Sequence, residues 1–249
     1  MKDKQVKIEF RRVRYLAGDS TILDGIDVDI HSGETLVLLG ESGCGKTTTL
    51  KMINRLLDPT DGEVLVDGRS TKAWDATELR RGIGYVLQEA GLLPHFSVTD
   101  NVGLTPWLNG WSEDRRSDRI REMLDLVGLP AEKFGERFPH ELSGGQRQRV
   151  GLARALAADP EILLFDEPFG ALDAITRSRL QREFSDLVRS LMKTVVFVTH
   201  DLQEAMRLAD RIALMERGKI ILTDTPDGFA KSDAPLARAY LDTVMIPHH

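Results

Sequence analysis

Gly40-Glu41-Ser42-Gly43-Cys44-Gly45-Lys46-Thr47 sets three glycines, a lysine and a hydroxyl at the spacing G-x-x-x-x-G-K-[ST]. Glycine reaches backbone conformations that other residues avoid, so such a loop turns its N–H groups inward round phosphate oxygens. Lys46 supplies a point charge to those phosphates and Thr47 a hydroxyl for Mg²⁺, with Thr48 following in the first helical turn. A glycine-rich turn that merely joins strand to helix is the competing reading. The complete motif, the apolar run 35–39 before it and the helical pattern after it favour the phosphate loop. Cys44 sits at a variable position and reads as a small packed residue, not a reactive thiol. A second string, Ile162-Leu163-Leu164-Phe165-Asp166-Glu167, is an apolar strand that delivers two carboxylates at its end. Asp166 suits a magnesium ion and Glu167 a general base that polarises water; alone, the pair would also fit an ordinary acidic turn. In the third, Leu142-Ser143-Gly144-Gly145-Gln146, serine is a good N-cap. Two glycines after a cap weaken a helix start by about 1 kcal/mol each relative to alanine, which makes sense where a phosphate must approach the backbone.

The elements that must position these groups follow from periodicity. Val6, Ile8 and Phe10 alternate, as do Ile26, Val28 and Ile30, so 6–15 and 22–30 read as half-buried strands. His31-Ser32-Gly33-Glu34 is a turn, 35–39 a buried strand, and a helix from Lys46 is expected to end before Pro59. Residues 63–66, 83–87, 161–165 and 194–198 read as further strands. Residues 112–127 carry Ile120, Met123, Leu124 and Val127 at helical spacing; 143–157, 173–192 and 201–208 are further helices. A hairpin is expected around Arg217-Gly218 and helical pieces in 226–241. Strands alternating with helices predict an α/β fold with a mostly parallel sheet core, to which the early alternating strands add an antiparallel β layer. The charged helical stretch splits that core in sequence.

With these residues in hand, the chain resembles an ABC ATPase over essentially its whole length. Leu142, Ser143, Gly144, Gly145 and Gln146 match the signature motif in full, the most specific match present. Tyr15 stands where the family places an aromatic against adenine. Gln88 matches the Q-loop glutamine that touches magnesium and senses the γ-phosphate. Asp173, in Ala171-Leu172-Asp173, matches the D-loop, and His200 the switch histidine. Each of these is weak alone: a strand-end histidine or a lone tyrosine is as often structural. The resemblance implies a P-loop NTPase fold with a RecA-like core and antiparallel layer (1–88 and 159–225), an inserted helical subdomain bearing the signature (89–158), and a short helical tail (226–249). It implies ATP and Mg²⁺, with Thr47, Gln88 and Asp166 on the metal and Lys46, Gln88, Glu167 and His200 serving hydrolysis. It also implies a head-to-tail pair with a second copy or a paralogue, each ATP lying between one glycine loop and the other subunit's Ser143, Gly144 and Gly145.

The implied setting is a transporter: permease membrane subunits, a substrate-binding protein, and a peripheral place on the cytoplasmic side of the inner (plasma) membrane. Leu92, Leu93, Pro94 and Phe96 in 89–106 fit a docking patch for the permease, or else the packing of the helical subdomain. Lys51-Met52-Ile53-Asn54-Arg55-Leu56, Pro59-Thr60-Asp61-Gly62-Glu63, 79–86 and Gly91-Leu92-Leu93-Pro94-His95 resemble the importer branch for glycine betaine, choline and carnitine. They mark kinship and carry no substrate chemistry; amino-acid, sulfonate and nitrate importers share similar strings. The sequence stops soon after the ATPase core, so sensing through paired C-terminal regulatory modules is not expected. A soluble ABC ATPase of DNA repair or the ribosome, and a motor for export, are the alternatives. The net charge of -6 over 249 residues argues against a protein that mainly coats nucleic acid. One cysteine forms no internal disulfide and fits a reducing compartment. The first residues lack a signal-peptide core, and no run approaches the roughly 20 apolar residues of a bilayer span.

Overall fold

The computed structural model describes residues 5–170, 177, 181–183, 186–188, 190 and 192–245. Its strands, in chain order, are β1 (Val6–Ala17), β2 (Ser20–His31), β3 (Thr35–Gly40), β4 (Asp61–Val66), β5 (Arg69–Ser70), β6 (Ile83–Val86), β7 (Ile162–Asp166), β8 (Thr194–Thr199), β9 (Arg211–Glu216) and β10 (Lys219–Asp224). Its helices include α1 (Lys46–Ile53), α2 (Ala76–Arg81), α3 (Val98–Leu108), α4 (Glu113–Leu126), α5 (Ala131–Phe134) and α6 (Gly144–Ala157). The chain divides into two compact units, Met1–Leu79 with Leu191–His249, and Arg80–Ser190.

In the first unit, β2-β1-β4-β5 form an antiparallel layer. Ile8, Phe10 and Val13 of β1 and Leu23, Ile26, Val28 and Ile30 of β2 are buried, so the alternation seen in sequence is the buried face. It breaks between Phe10 and Val13, where the register shifts and Arg12 takes φ 47, its N–H held by Asp27 Oδ1 at 2.8 Å. The other strands of this unit run in the order β10-β9-β3-β8, with β3 parallel to both β8 and β9. All residues of β3 and β8 are buried, which explains their continuous apolar runs. The turn at 31–34 closes through Glu34 N–H to His31 O at 3.0 Å. Helix α1 stops at Ile53, well before Pro59, because Arg55 adopts φ 53 and the Asn54 carboxamide takes the Leu56 N–H at 3.2 Å.

In the second unit, β6 and β7 pair in parallel, and α6 packs on β6, α3 and α4. Ile120, Met123, Leu124 and Val127 are buried, as their spacing requires. Helix α3 starts in a capping box between Ser97 and Asp100. Inside it, the fully buried Asn101 carboxamide donates to the carbonyls of Leu93, Phe96 and Ser97 and accepts the Leu93 N–H, pinning the loop 93–97 to the helix. Both units are thus α/β in the expected sense. The helix expected over 173–192 lies largely outside the described residues.

Candidate functional site

Strand β3 carries Gly40 to its carboxyl end beside Met215 of β9. A Cβ at Gly40 would lie 2.5 Å from Met215 O, so glycine is obligatory there. Gly43 and Gly45 have φ 83 and 107, and Gly45 caps α1. The loop is held from outside by Gly218 N–H on Cys44 O at 3.0 Å. Lys46 is only 4% exposed; its ammonium donates to Gly40 O at 2.7 Å and Glu41 O at 2.8 Å, arching under the loop. Thr47 and Thr48 are half-buried in the first turn, while Glu41, Ser42 and Gly43 are exposed. A lysine ammonium and the N-terminal end of α1 make this an anion site. Cys44 is buried, and burial pushes its thiol up from the ordinary value, so it packs as a protonated group.

The same unit holds two more of the named residues. Leu39 of β3 lies opposite Thr199 of β8, so His200 leaves its strand alongside Gly40. His200 is exposed. Its neighbour Thr199 donates its hydroxyl to buried Glu204 at 2.5 Å and accepts the Asp201 N–H at 3.0 Å. Asp201 in turn caps the helix Leu202–Leu208 through Gln203 N–H at 2.7 Å. Tyr15 is half-buried on β1 opposite Leu23, the residue against which a Cβ at Gly45 would collide at 2.5 Å.

The second unit holds the carboxylates and the signature. Asp166 ends β7 buried and accepts the Tyr85 hydroxyl at 3.2 Å. Burial, then the Asp166 charge, pushes Tyr85 ionisation far above its ordinary range, so the phenol stays a donor. Glu167 is half-buried at φ 45, a left-handed conformation rare for glutamate. Gln88 is exposed; its amide nitrogen would stand 3.1 Å from a Cβ at Gly170, which puts it against the turn that Gly170 N–H closes on Glu167 O at 3.0 Å. Leu142 is buried, while exposed Ser143 caps α6: its hydroxyl accepts the Gln146 N–H at 3.3 Å, and Gln146 Oε1 accepts the Ser143 N–H at 2.9 Å. Gly144 and Gly145 form the half-buried first turn.

Asp173 lies outside the described residues. Tyr85 is a site residue that sequence reasoning missed, since an aromatic on β6 gives no signal of pairing with an acid on β7. Among the described residues no group of three or more His, Cys, Asp or Glu is placed to hold a metal ion.

A glycine loop over a buried lysine at the start of a helix in the first unit, and acids at a strand end with a glycine-led helix in the second, are the parts of a nucleotide-binding cassette. The chain belongs to the ABC transporter family, whose family description matches residues 23–170. It is 52% identical over 87% of its length to the glycine betaine/carnitine/choline transport ATP-binding protein OpuCA of Bacillus subtilis (strain 168), of which it spans 57%. It is 48% identical over 88% of its length to the glycine betaine uptake system ATP-binding protein YehX of Escherichia coli (strain K12), spanning 71% of it. Among solved structures it superposes on the dimeric ATP-binding cassette MJ0796, in a post-hydrolysis state bound to ADP and Pi. There the TM-score is 0.78 and the identity 35%, over 88% of this chain and 98% of that one.

Proposed function

We propose that this chain binds and hydrolyses ATP as the motor subunit of an ABC importer for quaternary amines and related osmoprotectants. The observation that carries the reading is the 48–52% identity, over most of this chain, to ATP-binding subunits named for glycine betaine, carnitine and choline. Residues 40–48 hold the phosphates, Tyr15 the base, and His200 the γ-phosphate. Glu167 takes the proton of the attacking water, and Gln88 senses the γ-phosphate. The donor set fits magnesium: a buried carboxylate already oriented by Tyr85 and a half-buried threonine hydroxyl are hard oxygen ligands, the remainder coming from phosphates and water. Bound there through Asp166, Thr47 and Gln88, Mg²⁺ would neutralise phosphate charge. Ser143, Gly144 and Gly145 present their helix end to the ATP held by a second copy or a paralogue, and hydrolysis removes the γ-phosphate that bridges the two. Residues 1–88 and 159–225 serve as the ATPase core, 89–158 as the helical subdomain and 226–249 as its tail.

The permease partner docks on the second unit. An open groove of about 610 Å³ runs between α3, α4 and α5; Phe96, Leu104, Trp107 and Ile120 line it together with charged side chains such as Arg116 and Glu136. Trp107 is 60% exposed, and Leu93, Phe96 and Leu108 of the same unit are exposed as well. Large apolar side chains left in water in this way are what a protein interface covers. No helix among the described residues is long and apolar enough to cross a membrane. In this reading the chain reaches the cytoplasmic face of the plasma membrane through the permease, and a substrate-binding protein completes the complex. The test is purification from gently solubilised membranes with identification of co-purifying proteins by mass spectrometry. A multi-span permease and a binding protein that takes up glycine betaine or choline support the reading. Ribosomal or DNA-repair partners without a membrane subunit overturn it.

A further inference from the structure

Within the second unit, α6 and the residues that follow β7 enclose a cavity of about 80 Å³, partly open to solvent, to which ATP hydrolysis gives no role. Val127, Leu152, Pro168, Phe169 and Leu187 line it, together with Gln148, Arg149 and Glu183. Val127, Leu152, Pro168 and Phe169 are buried, so the walls are mostly carbon. Of the polar groups, Arg149 is committed: it donates to Val127 O at 2.7 Å and to the Glu183 carboxylate. Pro168 has no N–H to give. Gln148 differs from these. It is 7% exposed, and its Nε2 donates to the Gln88 carbonyl at 2.5 Å, which fixes the sense of the carboxamide. Its other end, Oε1, is buried with no hydrogen-bond partner among the described residues. A buried acceptor left unmet is unfavourable, and folded proteins rarely carry one without a ligand or a water to supply the donor.

We propose that this cavity binds a small neutral molecule with an apolar body and a single O–H donor, an alcohol or a phenol, whose hydroxyl donates to Gln148 Oε1. The volume is several times the roughly 10–15 Å³ that one water needs. A buried water ordinarily holds about three hydrogen bonds, and walls of valine, leucine, proline and phenylalanine side chains do not supply them. An alcohol or phenol brings one donor for one acceptor and fills the remaining space with carbon, the combination that ligand pockets select. A charged occupant would lose its hydration without gaining a counter-charge, because Arg149 and Glu183 answer each other. Binding here is independent of the ATP-hydrolysis reading and stands or falls apart from it.

The probes are para-fluorophenol and fluorobenzene, which share a ring and differ in the donor, titrated into the full-length chain and followed by fluorine NMR. Para-fluorophenol should bind about tenfold more tightly, the factor expected from meeting one buried acceptor. Methyl spectra of the same samples locate the site: shifts centred on Val127, Leu152 and Leu187 are expected. No binding of either probe at millimolar concentration, equal affinities, or shifts centred on other methyls each overturn the proposal, and this comparison needs no variant. Gln148→Met keeps the length of the side chain and removes the acceptor. In it the advantage of the phenol should fall to within about twofold while fluorobenzene binds as before; a preserved tenfold preference would place the donor's partner elsewhere and overturn the assignment. If Gln148→Met does not fold, Leu152→Phe decides: the larger ring fills the cavity and should weaken both probes by about tenfold or more, and undiminished binding overturns the site.

Discussion

Gly43→Ala and Gly45→Ala form a matched pair in the phosphate loop. Both glycines hold positive φ, 83 and 107, so either alanine strains the backbone by about 1–2 kcal/mol. They differ in what the new methyl meets. At Gly43 nothing lies within 4 Å, whereas at Gly45 the Cβ would stand 2.5 Å from Leu23 Cδ2 and 3.2 Å from Ile22 O. Leu23 is fully buried and paired across from Tyr15, so it has no open space to swing into. Overpacking of this kind adds about 1–3 kcal/mol. The difference between the two variants should therefore be about 1–3 kcal/mol, although both sit in the same loop. For a chain of this size each kcal/mol moves the thermal midpoint by about 2–4 °C. The assay is thermal unfolding without nucleotide, which excludes any contribution of lost ATP binding. Gly45→Ala should melt several degrees below Gly43→Ala. Equal midpoints would refute the claim that Leu23 buttresses the loop, and with it the path from Tyr15 through Leu23 to Gly45.

Glu167→Gln removes the proposed base without changing side-chain shape; hydrolysis should fall by about 10²–10⁴-fold while an ATP-bound dimer accumulates on size exclusion, and wild-type turnover would remove Glu167 from that role. Tyr85→Phe deletes a donor to buried Asp166, a hydrogen bond to a charged group worth about 1.5–3 kcal/mol, and should lower chemical stability by an amount of that order. Magnesium-dependent turnover should fall with it, and a variant unchanged in both would show that the contact is incidental. Tyr240 is pushed up to about 12, chiefly by burial. A raised phenol favours the folded state below its unfolded value of about 10 and loses that contribution as pH climbs through the folded value. Wild-type protein should therefore lose stability between about pH 10 and 12 more steeply than Tyr240→Phe, as read by denaturant midpoints, and parallel curves would refute it.

Strings whose chemistry is local were legible in sequence. The glycine loop, the β7 acids and the Ser143 cap depend on residues within one turn of each other, and their expected geometry is present: Gly45 at φ 107, Asp166 at a strand end, Ser143 capping α6. Legibility ended where the partner is distant in sequence or where packing overrules pattern. Nothing in the string around Tyr85 announces a bond to Asp166, and nothing in Arg154 announces the carbonyls of Ala90 and Gly91. Helix α3 was hidden because Gly103 and Pro106 interrupt it and its apolar residues are not confined to one face: Val98 and Val102 are buried, but Trp107 and Leu108 lie in water. Helix α1 ends before Pro59 as expected, but its last residue was not readable, because a left-handed Arg55 stops it where no glycine or proline gives warning.

The left-handed backbone at Glu167 carries an implication for how such proteins respond to selection. Judged by backbone alone, position 167 is a glycine position, and Glu167→Gly would relax about 1 kcal/mol of conformational strain. The chain therefore forgoes fold stability at that residue to keep a carboxylate there. If Glu167 is the base proposed above, backbone preference and chemistry pull position 167 in opposite directions, which makes it a sensitive indicator of whether a laboratory lineage is being held to function or only to folding.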